Sequence, residues 1–255
     1  MNILGKEARR AIKRVTLGWR YGLVERAPDW MRQRLGTPAS YLDMLFIDHG
    51  IFRLFYVNLH PIGGKQPSAR QGGAKAWRAA QPAPHQIRAL SRLGIRTIVN
   101  LRGERMCGSY WLEQRACAQA GLELVNFQVR SRAAPSLAEL RGARALFQSI
   151  EYPILMHCKS GADRAGLMSV LYRHLHEGVP MPEAIKQLSL RYGHIRQADT
   201  GILDAFFERY LADTATRPMS FFDWVETVYD PEELKRTFQA NSWANRLVTS
   251  VLRRE

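Results

Sequence analysis

Cys158 and Arg164 are the residues whose types and spacing promise the most chemistry. They bracket the run His157-Cys158-Lys159-Ser160-Gly161-Ala162-Asp163-Arg164. A cysteine on a short glycine-containing loop that leads into a helix sits in the positive field of that helix's amides, which favours the thiolate. The amides of Lys159, Ser160, Gly161 and Ala162, with those of the helix's first turn, would converge on one centre and suit a tetrahedral dianion. Arg164 adds a planar fork able to hold two phosphate oxygens. Five residues separate Cys158 from Arg164. That spacing lets the loop curl so that sulfur lies beneath the anion and the guanidinium flanks it. The chemistry expected is in-line attack on a phosphate monoester, giving a phosphocysteine that water later cleaves.

Such a loop needs a buried strand behind it and a helix after it. Pro153-Ile-Leu-Met-His157 reads as the strand, and a helical pattern over 164–177 follows. The alternation extends upstream. Ala76-Trp77-Arg78 reads as a short edge strand, residues 84–93 as a helix stopped by Gly94, and 97–101 as a buried strand. Residues 110–120 read as a helix ending at Gly121, 122–127 as an alternating strand, and 135–150 as a helix opened by Ser136. Helical patterns follow at 181–191, 199–213 and 219–227. Alternating strands and helices predict an α/β fold with a central, mostly parallel sheet flanked by helices. Ligand sites in such sheets lie at the carboxyl ends of strands, where Cys158 falls.

The signature of His-Cys, five residues and Arg resembles that of the protein tyrosine and dual-specificity phosphatase superfamily, matched at His157, Cys158, Gly161 and Arg164. The resemblance covers about 76–211, a little over half the chain. Trp77-Arg78-Ala79-Ala80-Gln81-Pro82 and Asn100-Leu101-Arg102-Gly103-Glu104 resemble openings of bacterial and fungal dual-specificity-like members. The resemblance implies a phosphoric monoester hydrolase that works without metal or cofactor on a phosphorylated protein or lipid.

Two departures stand out. Where the family places Ser or Thr after the loop Arg, this chain has Ala165, which implies slow phosphocysteine hydrolysis. The loop that usually supplies a general-acid Asp reads Val129-Arg130-Ser131-Arg132-Ala133-Ala134-Pro135, without an acid. Asp163 is the replacement candidate, as in bacterial relatives that pair Asp with Arg, and Glu104 is a second. Asp163 also suits a first helical turn purely through the dipole. Lys159 would attract polyanions or stay solvated, and Arg102 would reach the phosphate or form a structural ion pair. His157 would tune the thiol through backbone contacts. His194 and Gln197 fall where relatives place a water-positioning loop. Cys107 and Cys117 read as ordinary small residues.

The chain has 255 residues and a formal net charge of +14, which draws anionic partners. Three scattered cysteines make no disulfide framework and suggest a reducing compartment. No uninterrupted apolar core of a secretory signal is visible, and the greasiest stretch, 44–59, is too short and charged to span a bilayer. A cytoplasmic protein, peripheral at the membrane, is the expectation. The Arg-rich, acid-poor start also matches an organellar transit peptide. No nucleic-acid motif accompanies the charge.

The expected organisation is a basic and aromatic extension over 1–74, a catalytic domain over 75–215 and a helical extension over 216–255. Residues 1–34 hold nine basic and three acidic residues. Ala8, Ile12, Val15, Trp19 and Leu23 recur at helical spacing, and the tail sets Trp243, Leu247 and Val251 against Arg246, Arg253 and Arg254. Basic and apolar faces together suit an acidic membrane surface. Beside a dual-specificity phosphatase, two further readings stand: a lipid phosphatase at the membrane surface, and a phosphate-binding module without turnover.

Overall fold

A computed structural model describes residues 37–48, 51–63 and 75–238. The expected basic helix over 6–23 and the tail over 243–254 lie outside the described residues.

A five-stranded sheet organises the chain: β1 (His60–Ile62), β2 (Ala76–Ala80), β3 (Thr97–Asn100), β4 (Glu123–Asn126) and β5 (Ile154–Cys158), in the order β1-β2-β5-β3-β4. Among the described residues only the β1–β2 pair is antiparallel, so the sheet is mostly parallel, as its alternating pattern implies. Parallel neighbours need crossovers, and helices supply them. These are α1 (Pro84–Arg92), α2 (Gly108–Ala120) and α3 (Leu137–Ser149); α4 (Asp163–Leu175) follows β5. α3 opens where the sequence indicates: Ser136 accepts from the Glu139 amide, and Glu139 reaches back to the Ser136 amide.

All five residues of central β5 are buried, and they divide between two cores by the strand's period of two. Ile154, Met156 and Cys158 join the larger core with α3 and α4. Leu155 joins the smaller one, with Ile87 and Leu90 of α1 and Ala116 and Cys117 of α2. Cys158 therefore shares a face with α4, while His157 turns toward α2.

The larger core continues into α5 (Met181–Ala184), α6 (Ile202–Thr216), α7 (Phe221–Thr227) and α8 (Pro231–Thr237). Trp224 is its fully buried anchor. It packs against Phe206, Tyr210, Phe221 and Tyr229, and its indole N–H donates to Asp213 at 2.9 Å.

Three local expectations are corrected. β2 is interior, between β1 and β5, rather than an edge strand. β1 adds a short strand, His60–Ile62, from within the expected extension over 1–74. The segment 181–191 is broken: α5 gives way to tight turns at Ile185–Gln187 and Leu190–Tyr192, ended by Gly193 in the left-handed region.

Truncating the Trp224 anchor is expected to cost about 3–5 kcal/mol of unfolding free energy. Urea denaturation of Trp224→Ala, followed by circular dichroism, reads this. A loss below about 1 kcal/mol would separate the aromatic cluster from the cooperative core.

Candidate active site

The signature loop leaves the carboxyl end of β5 and enters α4 at Asp163. Its conformation is set by what holds its carbonyls. The Ser160 carbonyl accepts from Asn58 Nδ2 at 2.9 Å. The Gly161 carbonyl accepts from Arg78 Nη2 at 2.9 Å and Nε at 3.3 Å. The Ala162 carbonyl accepts from Arg78 Nη2 at 2.8 Å. Three consecutive carbonyls are thus drawn outward by side chains of two other segments. In a trans peptide the N–H of the next residue points opposite to the carbonyl. The amides of Gly161, Ala162 and Asp163 must therefore face away from Arg78 and Asn58, into the ring.

Gly161 is required by geometry. Its φ is +74°, and a Cβ there would lie 2.5–2.7 Å from the backbone of Ala79 and Ala80. Ala80 is the register partner of Cys158, so the loop folds back onto the strand beside the nucleophile candidate.

Arg78 is fully buried. Besides the loop carbonyls it donates to the Gln187 carbonyl at 2.6 Å and to Gln187 Oε1 at 3.2 Å, and it stacks over Tyr192 at 4.2 Å. Burial lowers its guanidinium to about 10, a fall opposed by electrostatic interaction with Cys158, Tyr192 and Asp163. It stays cationic at neutral pH and adds positive potential beneath the loop. Its role escapes a sequence reading because its loop partners are backbone carbonyls, which carry no residue signature. The same holds for Asn58, which also donates to the Tyr192 carbonyl at 3.0 Å.

Cys158, Ser160, Gly161, Ala162, Asp163 and Arg164 are buried, and Lys159 is half-exposed. His157 is wholly buried on the opposite face. Glu113 Oε1 lies 2.5 Å from its Nε2, a close ion-pair approach without an aligned hydrogen bond. Gln81 donates to the other Glu113 oxygen at 2.8 Å. Gln81 in turn accepts from Arg102, whose guanidinium grips Asp48 at 2.8 and 3.0 Å. The expectation that Arg102 reaches the phosphate is corrected. Its fork is committed to Asp48, so the ion pair is the reading observed.

Asp163 has a partner that the sequence alone did not assign. His194 Nδ1 lies 2.8 Å from Asp163 Oδ1, and His194 Nε2 lies 2.6 Å from Asp204 Oδ2. All three side chains are buried. Burial opposes charge on the imidazole, but hydrogen bonds and attraction from Asp163 and Asp204 outweigh it and raise His194 to about 9. At neutral pH the ring is an imidazolium donating to both carboxylates. Gln197 is exposed and lines, with His194 and Asp204, a cleft of about 720 Å³ to which no residue of the loop over 158–164 contributes. Glu104 is exposed and accepts from Asn126 at 3.4 Å. Cys107 and Cys117 are buried thiols; burial raises both, Cys117 to about 12.

Strand, glycine-containing loop and a helix opening at Asp163 and Arg164 follow one another as the resemblance to the protein tyrosine and dual-specificity phosphatase superfamily implies. Residues 55–201, more than half the chain, match the model for the family described as "DSP-PTPase phosphatase fused to NAD+ Kinase", and the chain belongs to that family. It is 30% identical over 112 residues to the dual specificity protein phosphatase TpbA of Pseudomonas aeruginosa, covering 44% of this chain and 49% of that protein. The chain spans about half the length of the curated relatives it matches. Among solved structures, P. aeruginosa TpbA is similar at 19% identity over 53% of this chain and 80% of that one, with a TM-score of 0.43. Tk-PTP in its active form is similar at 21% identity over 56% and 98%, with a TM-score of 0.42.

Two predictions follow from these contacts. Arg78→Met takes the side-chain donor from the Gly161 and Ala162 carbonyls and is expected to lower stability by about 3 kcal/mol. It should also weaken orthovanadate binding at least about tenfold, by calorimetry on the folded variant; unchanged binding would contradict Arg78's role. The second concerns pH. His194 is raised in the folded state, so its contribution is full below the unfolded value of about 6.5 and is lost as pH rises through about 9. The stability gap between wild type and His194→Gln should shrink by a few kcal/mol across that window, measured by urea denaturation. A gap independent of pH would contradict the imidazolium.

Proposed function

We propose that this chain is a cysteine-dependent phosphatase of dual-specificity type. The observation that carries the reading is the outward anchoring of the Ser160, Gly161 and Ala162 carbonyls, which turns three amides inward at the end of the strand bearing Cys158. Such preorganised donors act where charge develops during phosphoryl transfer. Arg164 clamps two equatorial oxygens. The Cys158 thiolate attacks phosphorus in line as the bond to the leaving oxygen breaks. Lys159 draws the anionic substrate toward the mouth.

Asp163 supplies the proton to the leaving oxygen, and His194 replaces it through Nδ1. The imidazolium then becomes neutral, still held through Nε2 by Asp204. This answers the difficulty that a carboxylate accepting from an imidazolium has no proton of its own to give: the pair moves one together. In the second step water attacks the phosphocysteine, a proton returns to the Asp163–His194 pair, and inorganic phosphate and thiolate are released. Protonation matters more for alkyl than for aryl leaving groups. His157, held by Glu113, fixes the strand end under the sulfur. Gln197 lines the cleft beside His194 and is the candidate to order the attacking water. No metal or cofactor enters this sequence of steps.

Ala165 brings no hydroxyl to the departing sulfur, so the second step is the slower one. Stopped-flow hydrolysis of para-nitrophenyl phosphate should show a burst of product equivalent to the enzyme present, abolished by Cys158→Ser. Asp163→Asn should slow an alkyl phosphate about a hundredfold or more and the aryl ester less. Wild-type protein without turnover, but with tight vanadate binding, would instead support the non-catalytic phosphate-binding reading. Equal losses on both esters would remove Asp163 from the acid role.

A further inference from the structure

The segment before β1 is inverted relative to an ordinary protein surface. Its two acids point inward. Asp43 is buried and accepts from the Gly108 amide, and Asp48 is gripped by Arg102. Six of its large apolar side chains are exposed, Tyr41, Leu42, Phe46, Ile51, Phe55 and Tyr56, Phe55 by 79%, while Met44 is buried. Single exposed apolar residues need no explanation, but six in sixteen positions mark an interaction surface.

This surface adjoins the candidate site. Val57 accepts from the amide of Ala80, the register partner of Cys158. Asn58 donates to the carbonyls of Ser160 and Tyr192. Beyond Tyr192 stand Leu190, exposed by 76%, and Arg191, also exposed. Exposed apolar side chains thus stand in both segments that Asn58 ties to the loop, beside exposed Arg191, and the loop's own Lys159 is half-exposed.

Charge selects the occupant. The chain carries +14, and the residues preceding this segment, 1–34, hold nine basic side chains against three acidic ones. Apolar groups beside cationic ones, with acids withdrawn, complement an anionic bilayer: the apolar groups enter the headgroup boundary and the cations meet phosphates. No helix among the described residues is long and apolar enough to cross a membrane, so the contact would be at the surface.

We propose that residues 41–56 seat the chain on an anionic phospholipid surface, and that its substrates are phosphomonoester lipid headgroups presented to the signature loop. This rests on the phosphatase reading for its substrate half; the docking half stands separately.

The test uses the full chain and the triple variant Phe46→Ser/Ile51→Ser/Phe55→Ser, none of which belongs to the catalytic machinery. Cosedimentation is measured with phosphatidylcholine vesicles, with and without phosphatidylglycerol. Phosphate release is measured from vesicles carrying phosphatidic acid or phosphatidylinositol monophosphate, and from soluble glycerol phosphate and inositol phosphate. Wild type should bind only the anionic vesicles and hydrolyse at least one lipid faster than its soluble headgroup. The triple variant should lose vesicle affinity by about tenfold per side chain removed, with para-nitrophenyl phosphate turnover unchanged. Wild-type binding equal on neutral vesicles, absent, or unaltered in the triple variant would overturn the docking. Turnover of para-nitrophenyl phosphate without any lipid hydrolysis would overturn the substrate class. A loss of phosphopeptide turnover in the triple variant, without vesicle binding in wild type, would assign the surface to a protein partner and overturn the proposal. Vesicle binding without any turnover would instead sink the phosphatase reading and leave the docking standing.

Discussion

The structure depends on the grip that Arg78 and Asn58 exert on three successive loop carbonyls. A loop of this length has many backbone states, and most leave its amides pointing in different directions. Fixing the carbonyls outward fixes the amides inward, because the peptide plane couples them. The donors are themselves constrained. Arg78 is buried in an interior strand and tied to Gln187 and Tyr192. Burying a guanidinium is costly unless its donors are used, and here they are spent on the carbonyls of Gly161, Ala162 and Gln187. The loop, β2 and the turns after α5 therefore stand or fall together.

Much of this was legible beforehand, for physical reasons. The α/β alternation follows from periodicity and from Gly and Ser at element ends, such as Gly121 and Ser136. The loop's place at a strand's carboxyl end follows from the apolar run before Cys158. Other features were hidden. Arg78 reads as a charge on a short edge strand, because nothing in its local sequence reveals carbonyls more than eighty positions away. Asp204 lies inside a helical pattern and gains its meaning only when α6 carries it to His194. By sequence His194 suits a water-positioning loop; its tie to Asp163 depends on the turns that replace an expected helix over 181–191. Arg102 suits two anions by sequence, which does not say which is nearer; the fold brings Asp48.

Two polar networks lie on opposite faces of the sheet and serve the same strand end. On one face Asp163, His194 and Asp204 form a buried chain with one cation between two anions. On the other, His157 meets Glu113, and the chain runs on through Gln81 to Arg102 and Asp48. The second network ends in the segment that exposes its apolar side chains to solvent. The ion pair that draws Asp48 inward thus also helps hold that surface beside the candidate site, linking its presentation to the packing behind Cys158.

A crystal structure of the full chain with orthovanadate tests the central claim most directly. The account predicts vanadium bonded to Cys158 Sγ, its oxygens within hydrogen-bond distance of the Gly161, Ala162 and Asp163 amides and the Arg164 fork, with Arg78 still on the loop carbonyls. An anion bound elsewhere, or loop carbonyls turned toward the ring centre, would contradict it.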